Sequence, residues 1–75
     1  MNRELYQGRH PSVASLARFF EYAHLSRDDL QRISRACSEL AAQMLQELPD
    51  GPELTAGLRK LLEAKDCFVR AALGD

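Results

Sequence analysis

Two prolines in the segment LPDGPE, residues 48–53, most constrain how this chain of 75 residues can fold. Because proline disfavours helix in the residue before it, a helix that reaches the first proline must end there. Pro52 suits the first turn of a following helix, where its missing N–H group has no partner to lose. We expect Asp50 to cap that helix, with Glu53 as its capping-box partner three residues later. A connection this short places two helices side by side and antiparallel, so the segment predicts a helical hairpin over residues 26–73.

Apolar residues recur at strides of three and four on both sides of this turn, which is the period of amphipathic helices. The stripe before the turn comprises Leu30, Ile33, Cys37, Leu40, Met44 and Leu48. After the turn there are two adjacent lines. One line comprises Leu54, Leu58, Leu61, Phe68 and Ala72, and the other comprises Leu62, Val69 and Leu73. Ser26 is the predicted N-cap of the first arm, with Asp29 as its box partner, and Gly74 is expected to close the second arm.

The residues before the hairpin divide into an arm and a short helix. Residues 1–11 show no period, include Gly8, and are expected to form a flexible arm. Strides of three and four then predict a helix that begins at Ser12 and ends near His24. The predicted fold class is therefore all-α, with residues 12–75 forming a single domain that consists of the short helix followed by the hairpin.

The apolar arc of the second arm is wider than one partner helix covers, because its two lines lie roughly 100° apart around the helix. A chain this short also buries a smaller fraction of its surface than a typical domain does. Its two cysteines, Cys37 and Cys67, fall at or beside apolar positions of the helical patterns, so we expect both to be reduced, core-like thiols. They also lie too far apart in the predicted hairpin for a comfortable disulfide bridge. Self-association is the remaining way to cover the arc, so we predict a helical homo-oligomer.

Composition argues against several classes of function. The formal net charge of −1 disfavours a protein that holds duplex nucleic acid. No apolar run approaches the ~18 residues of a membrane span, so we expect a cytoplasmic protein without membrane contact. The two cysteines and two histidines show no usual zinc-binding spacing, and no nucleophile or phosphate-loop motif is present. We therefore expect no metal, no cofactor and no enzymatic activity.

Three aromatic residues lie close together in the segment RFFEYAH, Arg18 to His24. Phe20 fits the buried stripe of the first helix, whereas Phe19 and Tyr22 lie off its centre. These two rings either contact another subunit or stack on a flat ligand such as a nucleobase. Tyr22 is the better stacking candidate because its hydroxyl group tolerates a wet site.

Basic residues lie beside the apolar stripes: Arg32 and Arg35 in the first arm, and Arg59, Lys65 and Arg70 in the second. One interpretation is a solvated helix face whose long side-chain stems cover leucines. The alternative interpretation is an anion-binding site between symmetry-related chains. A two-fold axis brings the same arginine of two chains together, which is repulsive unless an anion lies between them.

The segments RFFEYAH, LAAQML and PELTAGLRKLLEAKD together resemble a known family. They are similar to the helical-hairpin phage proteins that block the bacterial CBASS and Thoeris defences, and the correspondence covers residues 18–73. Members of that family are not enzymes; they hold cyclic dinucleotides, cyclic trinucleotides or cyclic ADP-ribose isomers between the subunits of a helical oligomer. The resemblance implies a sponge that sequesters such signals, without hydrolysing them, in the cytoplasm of an infected bacterium.

The resemblance also implies a ligand site. Tyr22 corresponds to the family's base-stacking tyrosine, and Thr55 stands where the family has a serine that can bind a ligand beside a helix N-terminus. The resemblance implies Arg32 or Arg35 as phosphate-binding residues in the first arm and Arg70 in the second. The symmetry argument adds Arg59 as a further candidate ligand residue. The rival hypothesis, from a different class of function, is a small helical interaction module that lays its apolar arc against a partner helix.

Overall fold

A computed structural model describes residues 1–22 and 25–74 of the chain. These residues contain three α-helices: α1 (Pro11–Ala17), α2 (Asp28–Glu47) and α3 (Pro52–Leu73). Two short 3-10 helices, Arg3–Leu5 and Arg18–Phe20, flank α1, and the described residues contain no strand. The prediction of an all-helical fold is confirmed. The molecule is 35 Å long, close to the ~33 Å that the 22 residues of α3 span at 1.5 Å each.

The proline turn separates α2 from α3 as the sequence predicts. The helix α2 ends at Glu47, two residues before the first proline of the turn. Pro52 occupies the first position of α3. Gly74 closes α3 in the left-handed conformation, with φ of 89°, and its N–H donates to the carbonyl groups of the last turn. These three boundaries follow from proline and glycine geometry, which depends little on the rest of the fold.

Two predicted caps are wrong. The helix α2 begins at Asp28 with Arg27 as its N-cap, so Ser26 lies one residue outside the cap position. Asp29 is paired instead with the Arg27 guanidinium, at 2.6 Å. At α3 the N-cap is Gly51, because the carboxylate of Asp50 accepts hydrogen bonds from a segment far away in sequence.

The first helix is shorter than predicted. The α-helix α1 ends at Ala17 and continues as a 3-10 helix only to Phe20. The predicted end at His24 lies outside the described residues. At its start, the N-cap of α1 is His10, whose Nδ1 accepts a hydrogen bond from the Ser12 backbone N–H at 3.1 Å.

The first ten residues pack against the helices, which differs from the flexible arm that the sequence predicts. Tyr6 is buried and its hydroxyl group donates to Glu21 at 3.0 Å. Burial, followed by the neighbouring Glu21 carboxylate, raises the pKa of Tyr6. The guanidinium of Arg9 donates to Asp50 at 2.7 Å and to the Leu45 and Leu48 carbonyl groups at 2.8 and 2.9 Å. The arm is therefore fastened to the α2–α3 turn.

The core lies where the segment of residues 11–20 covers α2 and α3. It comprises Tyr6, Val13, Ala17, Phe20, Cys37, Ala41, Leu45, Leu54 and Leu58, with the buried hydroxyl groups of Ser34 and Ser38. On α2 the buried face is therefore centred on small residues rather than on the predicted stripe, from which Leu40 and Leu48 are exposed. Small side chains let a neighbouring helix approach closely, and a serine hydroxyl can be satisfied within its own helix.

The two cysteines differ in environment. Both are free thiols, Cys37 buried and Cys67 exposed. Burial raises the pKa of Cys37, and the ammonium group of Lys65 acts in the opposite direction. The sequence-based expectation of a core-like thiol therefore holds for Cys37 and is wrong for Cys67.

Within the described part of the chain, none of the helices combines the length and the apolar character needed to cross a lipid bilayer.

Candidate functional site

Three of the six predicted ligand residues line one cavity, which we call the Tyr22 cavity. It has a volume of about 220 Å³ and is lined by Tyr22, Asp28, Gln31, Arg32 and Arg35. The helix α2 supplies four of these residues because Asp28, Gln31 and Arg35 recur at strides of three and four, which places them on one face. Tyr22 comes from the segment that follows the 3-10 helix and is half-buried.

Hydrogen bonds fix part of this cavity. The side-chain amide of Gln31 donates to the Leu25 carbonyl group and ties the start of α2 to the preceding segment. Arg35 donates to Glu39 at 2.8 Å, one helical turn further along, and this pairing raises the pKa of the Arg35 guanidinium. Arg32 is exposed on the same helix. The cavity thus presents one guanidinium held by a carboxylate and a second directed toward solvent.

The chemistry of the Tyr22 cavity suits a mixed ligand. Two guanidinium groups can donate hydrogen bonds to a phosphate, and the phenol ring offers a face for a flat base. Asp28 adds a carboxylate at the cavity wall, which repels a bare anion but accepts hydrogen bonds from N–H groups. This combination favours a molecule that carries both phosphate and nucleobase over inorganic phosphate alone.

Thr55 and Arg59 line a second cavity at the beginning of α3, with a volume of about 480 Å³. The Thr55 hydroxyl lies 3.0 Å from the Ser12 hydroxyl, which in turn lies 2.8 Å from Nδ1 of His10. Thr55 therefore links α3 to α1 in addition to facing the cavity. Arg59 is exposed and lies 4.0 Å from Glu63.

Arg70 lines a third cavity, of about 360 Å³, together with Arg18, Phe19, Lys65 and other residues. The Lys65 side chain is only 13% exposed, and its ammonium group donates to the Phe19 carbonyl group at 2.7 Å. The Arg18 guanidinium lies 4.8 Å from the centroid of the exposed Phe19 ring. The sequence predicts no site role for Arg18, and it places Lys65 only among the basic residues beside the apolar stripes. The available signal was the position of Lys65 in the apolar line of α3, between Leu61 and Phe68.

The structure therefore distributes the six predicted residues over three cavities. Tyr22, Arg32 and Arg35 come together, Thr55 and Arg59 share another cavity, and Arg70 lies in the third. A single chain does not bring all six to one ligand of nucleotide size.

A larger apolar cavity, which we call the open groove, lies between α2 and α3. It has a volume of about 690 Å³ and is lined by Ile33, Ala36, Cys37, Leu40, Leu61, Phe68, Ala71 and Ala72. Leu40 and Phe68 are 46% and 56% exposed. Three of the six residues of the predicted stripe, Ile33, Cys37 and Leu40, therefore line a surface groove, and of these Cys37 also belongs to the core.

Comparison with known proteins gives no further guidance, since no family model, curated protein or solved structure matches this chain.

Proposed function

We propose that this protein is a phage-encoded sponge that binds cyclic oligonucleotide immune signals of the CBASS or Thoeris type. The observation that supports the proposal is the convergence of Tyr22, Arg32 and Arg35 on one cavity. The ring of Tyr22 stacks on a base, while the two guanidinium groups bind the phosphate. The ligand class is a cyclic dinucleotide, a cyclic trinucleotide or a cyclic ADP-ribose isomer, as the sequence resemblance implies.

The size of the Tyr22 cavity supports a site shared between subunits. Its volume of about 220 Å³ is below the roughly 300–1,000 Å³ of pockets that enclose a drug-sized ligand. One chain therefore supplies walls for part of a cyclic dinucleotide, such as one base and one phosphate. In the proposed assembly, α2 and α3 form an antiparallel hairpin, hairpins associate into a homo-oligomer, and a second chain encloses the rest of the ligand.

Sequestration is the proposed mechanism, in the cytoplasm of the infected bacterium. A binding protein lowers the free concentration of a signal when its sites outnumber the signal and its dissociation constant lies below the threshold of the effector. The bound signal is released intact on denaturation of the protein, because binding makes and breaks no covalent bond. Thr55, Arg59 and Arg70 contact the ligand only if another copy of the chain brings their cavities to it.

Calorimetric titration with a panel of cyclic dinucleotides, cyclic trinucleotides and cyclic ADP-ribose isomers tests the proposal. We expect at least one of them to bind, and to be recovered unchanged by chromatography after heating. Tyr22→Ala and Arg32→Ala should each weaken that binding at least tenfold, whereas Lys60→Ala, at an exposed cation on α3, should not. The absence of heat and of thermal stabilisation with every member of the panel would reject the proposal.

The open groove supports a second candidate function, a helical interaction module. Its exposed Leu40 and Phe68 side chains are suitable anchors for the apolar face of a partner helix. This candidate predicts that the free protein is a monomer with an accessible apolar surface. A compact multimer with that surface covered, measured by light scattering and dye binding, would count against it.

A further inference from the structure

Asp28 is the acidic residue of the Tyr22 cavity and occupies the first position of α2. It lies four residues before Arg32, a spacing at which acidic and basic side chains commonly pair on a helix. Among the described residues, however, no cation lies within ion-pair distance of the Asp28 carboxylate. The neighbouring Asp29, by contrast, is paired with Arg27 at 2.6 Å. The carboxylate of Asp28 is therefore available to a ligand in the cavity.

Gln31 adds a further acceptor to the same side of the cavity. Its side-chain amide nitrogen donates to the Leu25 carbonyl group. Because a carbonyl group can only accept, this hydrogen bond fixes which end of the amide is the nitrogen and leaves Oε1 of Gln31 as an acceptor. Gln31 follows Asp28 by three residues, so the two side chains lie on one face of α2. We call these two residues the acceptor wall of the cavity.

The common nucleobases differ in what they offer to an acceptor wall. Guanine has two adjacent donors on its Watson–Crick edge, the N1–H group and the N2 amino group. Adenine and cytosine each have one amino donor beside a ring nitrogen that accepts, and uracil has one N–H group between two carbonyl groups. The two oxygens of a carboxylate only accept hydrogen bonds. A carboxylate therefore pairs with both donors of guanine and meets a repulsive lone pair on each of the other bases.

We infer that the Tyr22 cavity binds a guanine base, which stacks on Tyr22 and donates from N1–H and the N2 amino group to the Asp28 carboxylate. The inference rests on the proposed function, because it takes the cavity as a nucleotide site, and it narrows the ligand to cyclic oligonucleotides that contain guanine. Arg32 and Arg35 follow Asp28 by four and seven residues, or roughly 6 and 10 Å along α2. A nucleotide whose base edge contacts Asp28 thus extends its phosphate toward these two guanidinium groups.

Isothermal titration calorimetry of the full chain with cyclic di-GMP and cyclic di-AMP tests the inference, because these ligands share a backbone and differ only in their bases. We expect cyclic di-GMP to bind at least about fivefold more tightly, the lower end for a bidentate base contact, since Asp28 is exposed in one chain. Asp28→Asn should abolish or reverse this preference, because the amide offers one acceptor and one donor and so matches adenine.

The matched control is Glu47→Gln. It removes one negative charge from an exposed position of the same helix, outside the residues that line the cavity. Any general gain in affinity for an anionic ligand is therefore common to both variants, and Glu47→Gln should keep the wild-type preference for cyclic di-GMP. Equal affinity of the wild-type protein for the two ligands, or an Asp28→Asn variant with the wild-type preference, would overturn the inference and leave the sponge in place.

Titration with GMP and AMP separates the two proposals if no cyclic nucleotide binds. The NMR signals of the Tyr22 ring report on the cavity, and those of the buried Tyr6 ring serve as an internal reference. Larger shifts of the Tyr22 signals with GMP than with AMP, lost in Asp28→Asn, would retain the guanine site and reject the sponge. Equal responses to GMP and AMP would remove both proposals.

Discussion

Replacing Arg9 with alanine tests whether the N-terminal segment is an integral part of the fold. The Arg9 side chain is only 22% exposed. Its guanidinium contacts three acceptors: the carboxylate of Asp50 at 2.7 Å and the carbonyl groups of Leu45 and Leu48 at 2.8 and 2.9 Å. The last carbonyl groups of a helix have no N–H donor within that helix. Arg9 supplies such a donor to the Leu45 carbonyl group of α2.

The expected magnitude follows from these contacts. Hydrogen bonds that involve a charged group contribute about 1.5–3 kcal/mol each when well shielded, and partial exposure reduces this value. We take about 2 kcal/mol as the total loss of unfolding free energy for Arg9→Ala. A loss of 1 kcal/mol lowers Tm by about 4–8 °C in a domain of this size, so the expected decrease is about 8–16 °C.

Thermal unfolding followed by circular dichroism at neutral pH is the assay. Arg9→Lys should remain well below wild type, because a single ammonium group cannot reproduce the planar fork that reaches three acceptors. The matched control is Arg27→Ala, since Arg27 is about half exposed and pairs only locally with Asp29; its Tm should stay close to wild type. A Tm for Arg9→Ala within experimental error of wild type would show that the segment is not held as described.

Three further predictions concern the charge, the core and the thiols. The His10 N–H group and the Arg9 guanidinium lower the pKa of Asp50. The stabilising contribution of Asp50 is therefore complete above its unfolded pKa of about 3.9 and is lost as pH falls through the lower folded value. In urea unfolding, Asp50→Asn should lose less stability below about pH 4 than wild type does. Phe20 is fully buried, so Phe20→Ala should lower the unfolding free energy by about 3–5 kcal/mol, whereas Phe19→Ala, at a half-exposed ring, should cost well under half as much. Under native conditions near pH 8, a thiol reagent should label Cys67 rapidly and Cys37 only slowly, because Cys37 is buried and its pKa is raised; equal rates would contradict this.

The parts of the fold that the sequence predicts correctly depend on local backbone geometry. Pro52 and Gly74 set the beginning and the end of α3 almost regardless of what packs against it. The failed predictions involve competition for the same side chain. Asp50 is a residue type that commonly caps a helix, and it stands at the expected position. Its hydrogen-bond partner Arg9 lies 41 residues away in sequence, and no local pattern reveals that contact.

Burial on α2 was mispredicted for a different reason. Apolar periodicity selects the line through Leu40, whereas the chain buries the adjacent line that contains Ser34 and Ser38. A polarity scale counts serine as hydrophilic, although its small volume and its ability to hydrogen-bond within its own helix suit a close helix contact. The apolar line is present on α2 as the sequence predicts, but Leu40 and Leu48 of that line lie at the surface.

The predicted site residues lie partly close together and partly far apart along the helices. Helical periodicity places Arg35 one turn from Gln31 and Arg32, which suffices to predict that they share a surface. It also places Thr55 and Arg70 fifteen residues apart on α3, or roughly 22 Å at 1.5 Å per residue. A ligand of nucleotide size cannot contact both Thr55 and Arg70 of one chain across that distance. A site that used all six predicted residues would therefore need a second chain.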